Sequence, residues 1–148
     1  MFMKNLLALI TFVLISVSTS SGAKNIYADV QVTDVTPKSE YIWERANQNT
    51  PKYPVELARS GIRGCAVLSF NVSDSGETEN IEILKSVPKK QLGKASRKML
   101  KKWKWIPAST VGETQSEKRT LRLDFCMGGE STEQAQNACK QQTKLACN

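Results

Sequence analysis

Four cysteines, Cys65, Cys126, Cys139 and Cys147, are the residues best equipped for chemistry in this chain of 148. The sequence contains no histidine, so the commonest general base and a leading metal ligand are both missing. Spacings of 60, 12 and 7 residues between the cysteines match no compact zinc-ligand pattern; neither a metal nor a cofactor is expected. Disulfide chemistry remains, and the start of the chain supports it. Lys4 precedes an apolar run from Leu6 to Val17, and "STSSGA" follows, with Ser21 and Ala23 at the small-residue positions of a signal-peptidase site. The run is shorter than the roughly 20 apolar residues a spanning helix needs. Residues 1–23 are therefore read as a cleaved signal and the product as periplasmic, where cysteines oxidise. An uncleaved chain would face the same compartment from the inner membrane. Bonded cysteines are not nucleophiles, and Glu77 and Glu79 sit in an exposed hairpin, so the chain is not expected to be an enzyme.

Without the signal, about 125 residues remain, enough for one domain with one modest core. The formal charge of +7 falls by one with the loss of Lys4. A positive balance favours anionic partners without naming one. Much of it lies in "RKMLKKWKWIPA", residues 97–108. Stepping 100° per residue puts Leu92, Ala95, Ser96, Met99, Leu100 and Trp103 on one arc and Lys94, Arg97, Lys98, Lys101, Lys102 and Lys104 on the other. The lysines are thus the solvated face of a core helix ending at Trp103 and stopped by Pro107, and no nucleic-acid partner is expected.

The remaining elements follow from alternation and punctuation. "YADVQVTDV" (27–35) alternates as a strand, and Ser39 suits the N-cap of a short helix through Tyr41, Ile42, Trp43 and Ala46. "VELARSG" makes one or two helical turns closed by Gly61. "CAVLSFNV" (65–72) buries Ala66, Leu68, Phe70 and Val72, turns at Gly76, and returns through Ile81 and Ile83 as a hairpin. "KRTLRLDFC" (118–126) directs Leu121, Leu123 and Phe125 inward and reads as a short strand, charged outward. The polar tail after it is expected to form a weak helix with little core of its own.

"PKYPVELARSGIRGCAVLSFNVSDSG", "ILKSVP" and "LKKWKWIPA", in this order and spacing, resemble the TonB C-terminal domain family over residues 51 to about 127. The matching residues include Tyr53, Pro54, Ala58, Gly61, Gly64, Phe70, Val72, Gly76, Ile83, Pro88, Trp103, Pro107 and Ala108. The resemblance implies an α+β fold: a three-stranded antiparallel sheet in the order second, first, third, with one main helix on one face. Residues 24–50 are then an N-terminal extension and 128–148 a Cys-containing tail. It also implies binding of an extended N-terminal segment (TonB box) of an outer-membrane transporter, added to the sheet edge. That edge would be the third strand, with Lys118, Arg119, Thr120, Arg122 and Asp124 as partner-binding residues. Energy-transducing members carry a membrane anchor that meets inner-membrane motor proteins, then a long Pro-rich spacer. An uncleaved N-terminus would keep the motor contact available; residues 24–50 are too short for such a spacer. A rival reading is an accessory or structural envelope protein, nearer to TolA, that binds no transporter. A homodimer through the same edge stays open.

Antiparallel pairing of the first and third strands brings the ends at Cys65 and Cys126 together on the face away from the helix. The expectation is a Cys65–Cys126 disulfide, with Cys139–Cys147 by elimination if the tail turns between them.

Overall fold

The computed structural model describes residues 22–35, 41–108 and 112–148. Most of the proposed signal, and the Ser39 cap, lie outside them. The order is β1 (Ala28–Asp34), β2 (Trp43–Arg45), α1 (Val55–Arg59), β3 (Gly64–Val72), β4 (Thr78–Val87), α2 (Lys90–Leu100), β5 (Trp105–Pro107), β6 (Glu117–Met127) and α3 (Thr132–Gln142). The fold is α+β. Its main sheet is antiparallel in the order β1-β6-β3-β4, and β2 pairs with β5 in a second, two-stranded sheet.

Alternation along β3 and β6 builds the core. Ala66, Leu68, Phe70 and Val72 face the same side as Leu121, Leu123 and Phe125, all at most 2% exposed, and Leu92 and Leu100 of α2 close over them. The β3–β4 hairpin turns at Gly76, φ +79, where a side chain would strike the Trp105 carbonyl. Gly61, φ +64, follows α1 in the left-handed conformation expected of a helix stop.

Five expectations need correction. The sheet has a fourth strand: β1 pairs with β6 over seven residues, from Ala28↔Met127 to Asp34↔Leu121, so the third strand of the family pattern is not an edge.

Residues 43–45 form a strand rather than the middle of a helix. A segment this short cannot nucleate a helix alone, whereas β5 offers it a ladder, and Ala46 N–H donates to Lys104 O and Ala108 N–H to Ile42 O.

The main helix stops at Leu100, before Trp103 and Pro107. Trp103 and Trp105 instead alternate in a strand-like segment; Trp105, 5% exposed, packs on Phe70 with ring centroids 5.6 Å apart.

β6 is eleven residues long, and its second face, exposed at Lys118, is increasingly covered from Thr120 to a fully buried Asp124 and Cys126 rather than charged outward throughout. The covering element is the tail: α3, capped by Ser131, puts Ala135 and Cys139, both fully buried, against β1 and β6.

The disulfides are Cys65–Cys147 and Cys126–Cys139. Cys65 pairs across the ladder with Asp124, not Cys126. The two cysteines share a face but are offset by a diagonal, and a diagonal of about 7–8 Å exceeds what a disulfide spans. The tail supplies nearer sulfurs, because the chain turns after Gln142 and returns Cys147 toward Cys65.

The candidate strand-addition edge

The site proposed from sequence is β6, and its backbone orientation follows from two bonds. Val35 N–H donates to Thr120 O and Gly128 N–H to Tyr27 O, each at 3.0 Å. Hydrogen-bonded pairs recur at every second residue of an antiparallel ladder. Thr120, Arg122, Asp124 and Cys126 therefore turn their backbone groups away from β3, toward the position that β1 occupies.

The side chains of the five proposed binding residues go three ways. Lys118 is exposed and Thr120 half-buried. Arg119, 7% exposed, lies on the core side as a clasp for the N-terminal segment. Its Nη2 donates to Asp34 Oδ1 and its Nη1 to Trp43 O, both at 2.8 Å. The guanidinium lies 3.8 Å from the Tyr41 ring centroid and 4.9 Å from that of Trp105. Glu117, also buried, accepts from Ile42 N–H at 2.7 Å and brings Oε1 to 3.8 Å from Arg119 Nε. Around this clasp runs a cleft of about 590 Å³ lined in part by Val32, Asp34, Tyr41, Trp43 and Arg45.

Arg122 and Asp124 lie on the opposite face. Arg122 Nε and Nη2 hold the two oxygens of Asp124 at 2.8 Å each. Arg122 also donates to Gln142 O and Leu145 O at the end of α3, where free carbonyls welcome a cation. Gln142 Nε2 donates to Asp124 Oδ1 at 3.0 Å and to Gly64 O at 2.7 Å. This network fastens the tail to the sheet. Beside it on β1, burial pushes the Asp29 carboxyl above its usual range, partly offset by the Val30 N–H.

The structure thus collects the five residues on one strand but engages Arg119, Arg122 and Asp124 internally. Sequence reasoning missed Asp34, Tyr41, Trp43, Glu117 and Gln142, whose hydrogen-bond and ring partners lie 18 to 85 positions away. The local signals were the i, i+2 spacings of Arg122 with Asp124 and of Glu117 with Arg119, each of which a strand puts on one face.

Residues 49–127 match the model of the Gram-negative bacterial TonB protein C-terminal family. The chain belongs to this family. Tyr53, Pro54, Gly61, Gly64, Gly76, Trp103 and Pro107 all fall within the TonB match; β1, β2 and α3 lie outside it. Protein TonB of Xanthomonas campestris pv. campestris (strain B100) is 27% identical over 81 residues, 55% of this chain and 36% of that protein. Protein tonB2 of Pseudomonas aeruginosa is 29% identical over 75 residues, 51% of this chain and 28% of that protein. The matched stretch thus spans about a third of these relatives. The solution NMR structure of the Pseudomonas aeruginosa TonB CTD aligns with a TM-score of 0.48 and 22% identity, covering 63% of this chain and 92% of that one.

Proposed function

We propose that this chain is a periplasmic binding domain of TonB-dependent transport, holding an extended segment of an outer-membrane transporter by strand addition to β6. One observation carries the reading: β1, which lies outside the family match, is itself a strand added to that edge. Strand addition draws affinity from main-chain bonds, and β6 aims the backbone groups of Thr120, Arg122, Asp124 and Cys126 outward from β3. Lys118 and Thr120 flank the end of the ladder, where an incoming segment would meet them. Export by residues 1–23 delivers the domain to the compartment where a transporter's N-terminal segment is accessible. Contact with inner-membrane motor proteins belongs to the same reading if the leader stays attached.

The test is capture in the periplasm with a photocrosslinking side chain at Lys118. Transporter N-terminal segments among the products support the proposal. Pairing of β6 on both sides favours a rival, an accessory envelope protein whose edge is closed for good; capture of other envelope proteins, with no transporter among them, would select it.

A further inference from the structure

The position filled by β1 is a slot whose walls are fixed covalently while its filler is not. Its floor is the edge of β6. One wall is α3, bonded to β6 through Cys126–Cys139 and, through the turn that follows, to β3 through Cys65–Cys147. Arg122 adds two bonds to carbonyls at the end of that helix. The other wall is the core side, with Leu121 and the Arg119 clasp. No disulfide reaches β1. It is held by its ladder with β6, by contacts with α3, by Val30, which is 1% exposed, and by the Asp34–Arg119 ion pair.

These contacts read sequence. Val30, Val32 and Asp34 share the core side, because strand side chains alternate. Val30 joins the core, Val32 packs against it, and Asp34 meets a guanidinium already sandwiched between two aromatic rings. Asp29, Gln31 and Thr33 point to the other side.

We infer that β1 is the chain's own occupant of an acceptor slot, and that the partner exchanging with it is an extended segment carrying aliphatic, any, aliphatic, any, carboxylate in antiparallel register with β6. This rests on the strand-addition reading and names the partner's chemistry. A strand tethered in cis competes at millimolar effective concentration, so the partner's apparent affinity is reduced by the fraction of slots that are closed. Weakening β1 without touching the slot therefore strengthens partner binding.

The probe is a labelled peptide, YADVQVTDV, copying residues 27–35, added to the oxidised full chain. Asp34→Lys in the chain removes one charge-assisted bond and sets a cation against Arg119. The peptide should bind this variant about tenfold more tightly than the unaltered chain. A peptide carrying the same Asp34→Lys change should lose about tenfold on either protein. Hydrogen exchange should show the amides of Thr120, Arg122 and Asp124 losing protection in the variant and regaining it with peptide. If Asp34→Lys does not fold, Asp34→Asn serves, with a smaller change of the same sign.

Binding indifferent to the peptide's carboxylate, or unchanged protection of β6 in a folded variant, would overturn the inference. Dimers of the variant that the peptide does not dissolve would also overturn it, by assigning the slot to a second copy of the chain. Capture of a transporter segment that the peptide fails to displace sinks the slot rule and leaves the transport reading standing. Peptide exchange without any transporter captured does the reverse.

Discussion

Cys65 and Asp124 are direct cross-strand partners on the β3–β6 ladder, on the face that α3 covers. Asp124 therefore takes the place opposite Cys65 that a Cys65–Cys126 bond would require, and each of the two cysteines reaches a sulfur from the tail instead. Non-reducing peptide mapping should recover Cys65–Cys147 and Cys126–Cys139 and no Cys65–Cys126 species. The two bonds close loops of very different size, with sequence separations of 82 and 13. On chain entropy alone, removing the first should cost about 4.5 kcal/mol and removing the second about 3 kcal/mol. Denaturant melts of the two paired Cys→Ser variants would show the order.

Asp124 is fully buried and Arg122 is 13% exposed. Deleting one member of such a pair leaves an uncompensated charge, so Asp124→Ala should destabilise by about 3–5 kcal/mol. Replacing both by apolar residues should recover much of the pair's cost but not the carbonyl bonds at Gln142 and Leu145. Comparison of the two variants in urea separates the ion pair from the helix-end contacts.

Tyr53 sets a pH limit. Its hydroxyl donates to Ile62 O at 2.6 Å and its ring meets Phe125 edge-on; burial pushes the phenol up to about 12, with Arg63 pulling the other way. The neutral form is favoured in the folded state, so this group's stability is intact below the unfolded value near 10 and is lost as pH rises toward 12. Ultraviolet titration should show the Tyr53 phenol ionising late. Tyr53→Phe should remove that transition and, by leaving the Ile62 carbonyl unpaired, cost about 1 kcal/mol at neutral pH.

Two glycines with similar φ separate conformational strain from collision. At Gly61 an added Cβ meets nothing within 4 Å, while at Gly76 it would lie 2.4 Å from Trp105 O. Gly61→Ala should cost about 1–2 kcal/mol, the left-handed penalty alone. Gly76→Ala must also displace backbone and should cost about 3 kcal/mol or more. Thermal melts of the pair decide it.

What was readable from sequence divides along physical lines. The β3–β4 hairpin, the inward residues of β6 and the apolar arc of α2 are local periodicities, and period alone places them. The central order β4-β3-β6 came from the family resemblance. β1 showed its alternation, but nothing local says which strand it joins. Likewise "YIWERA" has a helix-like start and yields to a ladder with residues 105–107. The strand proposed as the binding edge was expected to be open and is paired with β1, because the strand that closes it lies beyond the resembling segment; which of its backbone groups turn away from β3 is set by the ladder register, which the sequence does not show. Arg119 and Arg122 were expected among the partner-binding residues; in the structure they pair with Asp34 and Asp124, and only the fold brings Asp34 near.

The bond from Cys65 to Cys147 also governs how this molecule responds to cutting. It joins the start of β3 to the penultimate residue of the chain, so everything from the hairpin to α3 lies inside one covalent ring. Residues 112–116, exposed and without regular structure, offer a protease its opening there. A single cut in that stretch opens the ring without releasing a piece: Cys65 stays with one fragment, Cys147 with the other, and both halves of the sheet remain attached. Such a nicked molecule would run as one band until its sulfurs are reduced.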